Sequence, residues 1–473
     1  MTQTVVFGTS GWRGIIADDF TFDNVKRCTQ ALADHLLARD VTNGIERKVV
    51  VGHDCRFLGE EFARIAAAVL QAAGFEVVLA KGAVPTPCID HAVLRLKAQA
   101  GICFTASHNP PVYQGFKVID TWGGMALPDM TTDISERLAK LKNSPDASED
   151  NLPTPTDITS LYLDDLVTLL GGANSAKRKL RILVNPMHGA SYQILPKLLR
   201  TLGHTVEEMR NRPDPYFGGI QPDPREDTLT DMKELLAADH YDVGLCTDAD
   251  GDRFGVMSGQ GEYYDPNQVL GVLLQAACQM ATTQPTAIAM AHVTSDFVAR
   301  VAKHLGLEVH KTPVGFKHLG QKMAAGEADF ACEESSGFAW ADHVPDKDGL
   351  VACGLLAQFM AAQDSSFYEL YTALAKEVGP CHFKRLDLRL KPAQKERLLS
   401  QLTPDHIKQV FGREIAQVDD QDGKRFIFSD GSFVGMRPSG TEPLLRIYID
   451  AQSGEQCQSY ISKAQSWVEA AQD

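Results

Sequence analysis

Hydrophobic positions along this chain follow two periods, and each period predicts an element. Apolar residues three and four apart predict amphipathic helices over 21–39, 60–73, 158–170, 191–202, 228–238, 266–280, 295–305 and 316–324. Short apolar runs bounded by turn residues predict strands over 48–52, 76–80, 102–104, 116–119, 180–184, 205–209, 243–247, 287–291, 307–311 and 329–332. The two kinds alternate, which is the pattern of layered α/β structure. Three successive stretches each end a strand in a polar loop, so most of the chain reads as similar α/β units without sequence repetition. From about residue 380 a period of two takes over, at 383–390, 425–428, 432–436 and 445–450, flanked by helices at 393–401 and 456–470. That texture predicts an antiparallel α+β domain. The polar, proline-rich stretch 143–155 reads as a linker. The predicted domains are 1–150, 151–260, 261–378 and 379–473.

Composition narrows the class. At 473 residues the chain is too long for one core. Its 44% hydrophobic and 23% charged residues are those of an ordinary soluble globular protein. A net charge of −15 argues against a general binder of nucleic acid or anionic membrane, which needs a basic face. An anionic substrate would instead have to meet basic residues gathered at its own site. The 10 cysteines include no C-x-x-C, and Cys103, Cys246, Cys278 and Cys353 lie in apolar runs, so buried free thiols in a reducing cytoplasm are expected. The N-terminus lacks the basic-then-apolar pattern of a signal peptide, and no run approaches the roughly 20 apolar residues that span a bilayer.

The polar loops carry the candidate chemistry. In Gly101 to Pro111 (GICFTASHNPP) an apolar strand delivers Ser107 and His108 to a loop stiffened by Pro110 and Pro111, at the strand end where open α/β sheets place their sites. Lys117, on the strand that resumes, would point back toward Ser107; a solvated lysine is the alternative. Phe7 to Gly14 (FGTSGWRG) combines glycines and hydroxyls with the fixed charge of Arg13, which suits a bend near an anion. Asp248, Asp250 and Asp252 alternate, so an extended backbone would point all three one way. Uncompensated, they would repel unless a hard cation such as Mg²⁺ or Ca²⁺ sat among them. Gly259 stands where an EF-hand requires its last ligand, so that loop type is excluded. Glu333 and Ser335 pair an acceptor with a hydroxyl, a combination that reads adjacent sugar hydroxyls. Gly315, Lys317, His343 and Lys347 flank them and would supply cationic contacts. Arg437, Ser439, Gly440 and Thr441 offer a guanidinium, hydroxyls and free backbone N–H groups, the means of cradling a phosphate.

Together TASHNP (105–110), DADGDR (248–253), EESSG (333–337) and RPSGTEP (437–443), with FGTSGWRG at 7–14, occur in the order found in the α-D-phosphohexomutase family, which this chain resembles over essentially its whole length. The resemblance implies three α/β/α domains with mixed sheets and a C-terminal α+β domain around a central cleft, one loop from each. It implies that Ser107 is a phosphoserine and that Asp248, Asp250 and Asp252, with its phosphate, bind one Mg²⁺ while Arg253 supports the loop. Glu333 and Ser335 would contact the sugar. Arg437, Ser439, Gly440 and Thr441 would hold the non-reacting phosphate. His108 and Lys117 match positions near the transferring group, and Arg13 an acid–base helper. The implied reaction interconverts hexose 1-phosphate and hexose 6-phosphate through a hexose 1,6-bisphosphate that is both intermediate and activator, in a cytoplasmic monomer or homodimer. Two departures bear on the sugar. Cys332 stands where many members carry glycine, and the loop lacks the histidine that follows Glu-x-Ser-Gly in members acting on both glucose and mannose phosphates and in the glucosamine type. Glucose is therefore the first choice, mannose the second and glucosamine the third. The rivals of another class are a metal-dependent sugar phosphatase and a non-catalytic phosphosugar-binding protein.

Overall fold

Three of the four sheets repeat one plan: three parallel strands side by side, with a fourth returning antiparallel beside the last. In the first sheet Glu76–Leu79, Glu46–His53 and Ala98–Phe104 are parallel, and Tyr113–Asp120 returns against Ala98–Phe104. Trp12–Ile15 adds an antiparallel edge to it. The second sheet sets Thr205–Glu208, Arg181–Asn185, Val243–Thr247 and Phe254–Ser258 in the same arrangement. The third does so with Glu308–Thr312, Ala287–Ala291, Phe330–Glu333 and Gly337–Trp340. The fourth is wholly antiparallel, in the order His382–Arg389, Leu444–Ala451, Phe433–Pro438, Lys424–Phe428, Ile415–Asp419. The expected four-domain architecture with mixed sheets is the one observed. This computed structural model describes residues 5, 7, 11–39, 44–172, 177–281, 283–438 and 444–470, without the side chains of 392, 393 and 395.

The repeated plan positions the chemistry. Ser107, the Asp248–Asp252 carboxylates and the Glu333–Ser335 pair all occupy the turn between the third parallel strand and its return strand. Parallel strands share a direction, so equivalent turns emerge from equivalent sheet ends. In the fourth unit strand Phe433–Pro438 carries Arg437; Ser439, Gly440 and Thr441 lie outside the described residues.

Sequence periodicity missed several elements: the return strands Phe254–Ser258 and Gly337–Trp340, the strands Trp12–Ile15 and Ile415–Asp419, and the helices Thr86–Arg95, Pro128–Lys140, Gly349–Gln363, Phe367–Val378 and Pro404–Phe411. Gly349–Gln363 shows why. Every residue from Gly349 to Ala361 is buried, so the helix is apolar all round and has no stripe for a period to reveal. It is started by the Asp348 carboxylate, which accepts from the Leu350 and Val351 N–H groups at 2.8 and 3.0 Å. That helix lies in a core running through the first three units, where Ile89, Leu198, Val272, Ile288 and Leu355 belong to one cluster. The fourth unit has its own, built on Phe426, Ile447, Tyr460 and Trp467. Among the described residues, no helix is long and apolar enough to cross a membrane.

The fourth unit therefore attaches partly through buried polar groups. Arg425 is fully buried, lies 3.7 Å from the Phe433 ring centroid, and donates to the His292 carbonyl and the Asp296 carboxylate. Replacing it by methionine keeps the length but leaves the buried His292 carbonyl without this donor and the half-buried Asp296 carboxylate with Lys311 alone. Arg425→Met is expected to weaken the attachment by about 3 kcal/mol. Limited proteolysis should then release a C-terminal fragment under conditions that leave the parent intact.

Candidate active site

Ser107 stands just beyond strand Ala98–Phe104 with φ +50°, a left-handed conformation that a serine adopts only when its surroundings impose it. Arg56 imposes it. Its guanidinium donates to the carbonyls of Ser107 at 2.5 Å, Asn109 at 2.6 Å, Pro110 at 2.8 Å and Tyr113 at 2.9 Å. The Ser107 N–H donates to Thr105 Oγ1 at 2.8 Å, and that hydroxyl donates to Asp54 Oδ2 at 2.6 Å. Burial pushes the Asp54 carboxyl up to about 6, against the pull of Arg56. The turn is thus fixed through its backbone, and the serine side chain is left for other contacts. Its Oγ donates to Asp248 Oδ2 at 2.8 Å and lies 3.3 Å from His108 Nδ1. Burial drives the His108 imidazole far below its ordinary range, and Arg253, Arg13 and Arg385 push the same way. Arg13 donates to Asn109 Oδ1 at 2.6 Å, which places it against the same turn.

The three aspartates converge, but not along an extended backbone as the alternation predicts. The Gly251 N–H donates to the Asp248 carbonyl across a turn, with Gly251 at φ +73°. Ligand oxygens of Asp248, Asp250 and Asp252 then lie within 4.8 Å of one another, all buried. Nor are they uncompensated. The Lys117 ammonium is 2.8 Å from Asp250 Oδ2, 2.9 Å from Asp252 Oδ2 and 3.3 Å from Thr86 Oγ1. Lys117 therefore points into the carboxylate cluster that the Ser107 hydroxyl also touches, because a fully buried ammonium needs anionic partners. Lys347 adds a second contact to Asp252 Oδ2, at 3.0 Å. Burial opposes the charge on Asp250, yet Lys117 and Thr86 hold its carboxyl low; burial and the neighbouring Asp250 and Asp252 push Asp248 well up. The Arg253 N–H donates to Asp248 Oδ1 at 3.1 Å, so its backbone supports the loop, while its guanidinium faces Asp223 at 3.5 Å.

A hard cation fits this cage. The lysines occupy Oδ2 of Asp250 and Asp252, whereas Oδ1 of both is buried without a hydrogen-bond partner. Buried carboxylate oxygens seldom stay unpaired. These two, with Asp248 Oδ2 beside the serine hydroxyl, form an oxygen-only donor set of the kind Mg²⁺ accepts.

The third turn presents Glu333 with Ser335, whose Oγ donates to Glu333 Oε1 at 2.8 Å. Gly315, at φ +124°, precedes the helix Phe316–Ala324 that carries Lys317 in its first turn. Lys317 makes no ion pair among the described residues, and burial lowers its pKa. His343 is not in this group; its Nε2 lies 2.9 Å from Asp348 Oδ2, under the start of the buried helix. Arg437 Nε donates to both oxygens of Asp422 at 2.9 Å, and Asp422 Oδ2 also accepts from the Val314 N–H at 3.0 Å. The strand bearing Arg437 is thereby held against the loop bearing Gly315. Arg385 joins the fourth sheet to the third turn through Glu334 Oε1 at 3.3 Å.

Sequence reasoning missed Arg56, Thr86, Asp422, Glu334 and Arg385. Asp54 to Arg56, directly after a buried strand, carried a visible signal of the same kind as the aspartate loop. Asp422, within a run of acidic residues ending in Gly423, reads as a solvated turn and gave none.

Comparison with known proteins agrees along the whole chain. Models of the phosphoglucomutase/phosphomannomutase alpha/beta/alpha domains I, II and III match residues 4–145, 160–261 and 265–378, and that of the C-terminal domain matches 392–463. A provisionally named phosphoglucosamine mutase of Methanosphaera stadtmanae is 29% identical over 96% of each chain. A phosphoglucomutase/phosphomannomutase of Thermococcus kodakarensis is 28% identical over 96% of each. The crystal structure of a provisionally named phosphomannomutase from Thermus thermophilus superposes with a TM-score of 0.84, at 30% identity, over 99% of this chain and 100% of that one.

Proposed function

Since the chain belongs to the phosphoglucomutase/phosphomannomutase family of phosphohexomutases, we propose that it interconverts glucose 1-phosphate and glucose 6-phosphate through a phosphoserine at Ser107 and a glucose 1,6-bisphosphate. The observation carrying this reading is the Ser107 hydroxyl, 2.8 Å from Asp248 in a carboxylate cage with two open oxygens. The domain boundaries are placed at 150/151, 260/261 and 378/379.

Asp248 Oδ2, Asp250 Oδ1 and Asp252 Oδ1, with an oxygen of the Ser107 phosphate, would hold Mg²⁺, and the bound ion would offset the charge that phosphoryl transfer concentrates there. Lys117 and Lys347 keep the outer carboxylate oxygens fixed. In the first half-reaction the bond between phosphorus and Ser107 Oγ breaks as one forms to the free hydroxyl of the sugar. The hydroxyl proton passes to a base, and the neutral His108 imidazole, 3.3 Å from Ser107 Oγ, is the acceptor beside it that does not belong to the cation set. Glu333 and Ser335 read the sugar hydroxyls, Lys317 adds charge beside them, and Arg437 with Ser439, Gly440 and Thr441 anchors the far phosphate. After the bisphosphate turns, its other phosphate returns to Ser107 by the reverse step. Glucose preference rests on the Glu-Glu-Ser turn and on Gly337, which opens the return strand at the place where a histidine would otherwise follow Glu-x-Ser-Gly.

The test is a coupled assay with glucose 1-phosphate, read alongside free phosphate and the intact mass of the purified chain. Conversion to glucose 6-phosphate with little free phosphate, and one phosphate on Ser107, is expected. Stoichiometric phosphate release would make the protein a phosphatase. Side-by-side kcat/KM for glucose, mannose and glucosamine phosphates decides the sugar.

A further inference from the structure

The fourth sheet meets the third unit at several places, and two of those contacts differ in character. One is multiple: Arg425 on His292 and Asp296, with Asp450 Oδ2 accepting from Ser295 Oγ at 2.9 Å and from the Asp296 N–H at 2.6 Å. The other is a single long bond. Arg385 spends Nε and Nη2 on Asp387 of its own strand, at 3.0 and 2.9 Å, and reaches Glu334 Oε1 only with Nη1, at 3.3 Å. Glu334 is buried, and its Oε2 has no hydrogen-bond partner. It is also the residue between Glu333 and Ser335. A guanidinium divided between two carboxylates, one with an unfilled buried oxygen, can tighten onto that oxygen when the units approach, since bidentate pairing is the stronger geometry.

We propose that Glu334 and Arg385 are positioning residues that tie the sugar-reading turn to the phosphate-anchoring sheet and keep the hexose bisphosphate from escaping while it turns end for end. This rests on the mutase reading above. The pair touches neither the serine nor the carboxylate cage, so its loss changes retention of the intermediate more than the transfer steps. In Glu334→Gln the bisphosphate concentration for half-maximal activity is expected to rise about tenfold. Bisphosphate released per turnover, followed by chasing labelled phosphoenzyme with unlabelled substrate, should rise with it. Turnover at saturating bisphosphate should stay within about threefold. Arg385→Lys keeps the charge without the fork and should behave alike, which preserves the test should Glu334→Gln fold poorly. The double variant should be no worse than either single one, as for residues acting through one contact. An unchanged bisphosphate requirement and release in both single variants, or additive effects in the double, would overturn the latch. A parent enzyme with no mutase turnover at saturating bisphosphate would instead overturn the functional reading.

Discussion

Ser107→Ala is expected to lower mutase turnover by at least about ten-thousandfold, the scale seen when a covalent nucleophile is deleted. The size follows from what the hydroxyl does in the proposed route: no other described side chain is held by both a carboxylate of the cage and an imidazole. Neither neighbour can replace it, because Asp248 belongs to the cation set and the histidine is the acceptor for the proton. The fold should survive. The turn is held by four donations from the Arg56 guanidinium to backbone carbonyls and by Thr105, none of which involves the serine side chain. The substitution leaves Asp248 Oδ2 without its donor, at a cost of roughly 1–3 kcal/mol, or a few degrees in melting temperature. The coupled assay and intact mass check both halves together: activity and the phosphate adduct should vanish in a chain that still melts cooperatively. Full turnover in Ser107→Ala would end the assignment of the nucleophile.

How much of this was legible beforehand varies residue by residue. The serine turn was readable because an apolar strand running into two prolines must stop, and what stands at the stop is exposed to its neighbours. The aspartates were readable as a set, but their convergence was misattributed. Alternation in sequence implies one face only when the backbone is extended, and Gly251 turns it instead. The lysines show a deeper limit. Lys117 lies four residues after Tyr113, at the start of its strand, and Lys347 lies in the loop between strand Gly337–Trp340 and helix Gly349–Gln363 of the third unit. Which anion each finds is set by how separate sheets pack, and no local period encodes that. Helix Gly349–Gln363 was invisible for the opposite reason, being too uniformly apolar to show a face. Arg385 looked like any outward position on an alternating strand. Its reach to Glu334 exists only once the fourth sheet is seated.

Asp250→Asn should raise the Mg²⁺ concentration for half-maximal activity by roughly a hundredfold, since even outer partners of a metal site are worth about 10–100-fold and this is a proposed ligand itself. The expected effect comes from the two oxygens having different work. Oδ2 accepts from Thr86 at 2.6 Å and from Lys117 at 2.8 Å, while Oδ1 opens on the cage. An asparagine that keeps its oxygen toward Lys117 and Thr86 turns its NH₂ into the cation site, donor against cation. Turned the other way, it sets NH₂ against the Lys117 ammonium, which then relies on Asp252 at 2.9 Å. Either orientation removes one negative charge from a set of three that two lysines already partly neutralise, and a dication gains little from what remains. Stability in chelator separates this from a structural role. Without metal the aspartates are held by Lys117, Lys347 and Thr86, and the substitution leaves Lys117 on Asp252 and Lys347 in place. Parent and variant should therefore melt within a few degrees of each other in chelator, and only the parent should gain stability as Mg²⁺ is added. A variant that melted far below the parent in chelator would show the carboxylate holding the sheets together, and the proposed metal site would lose its central ligand.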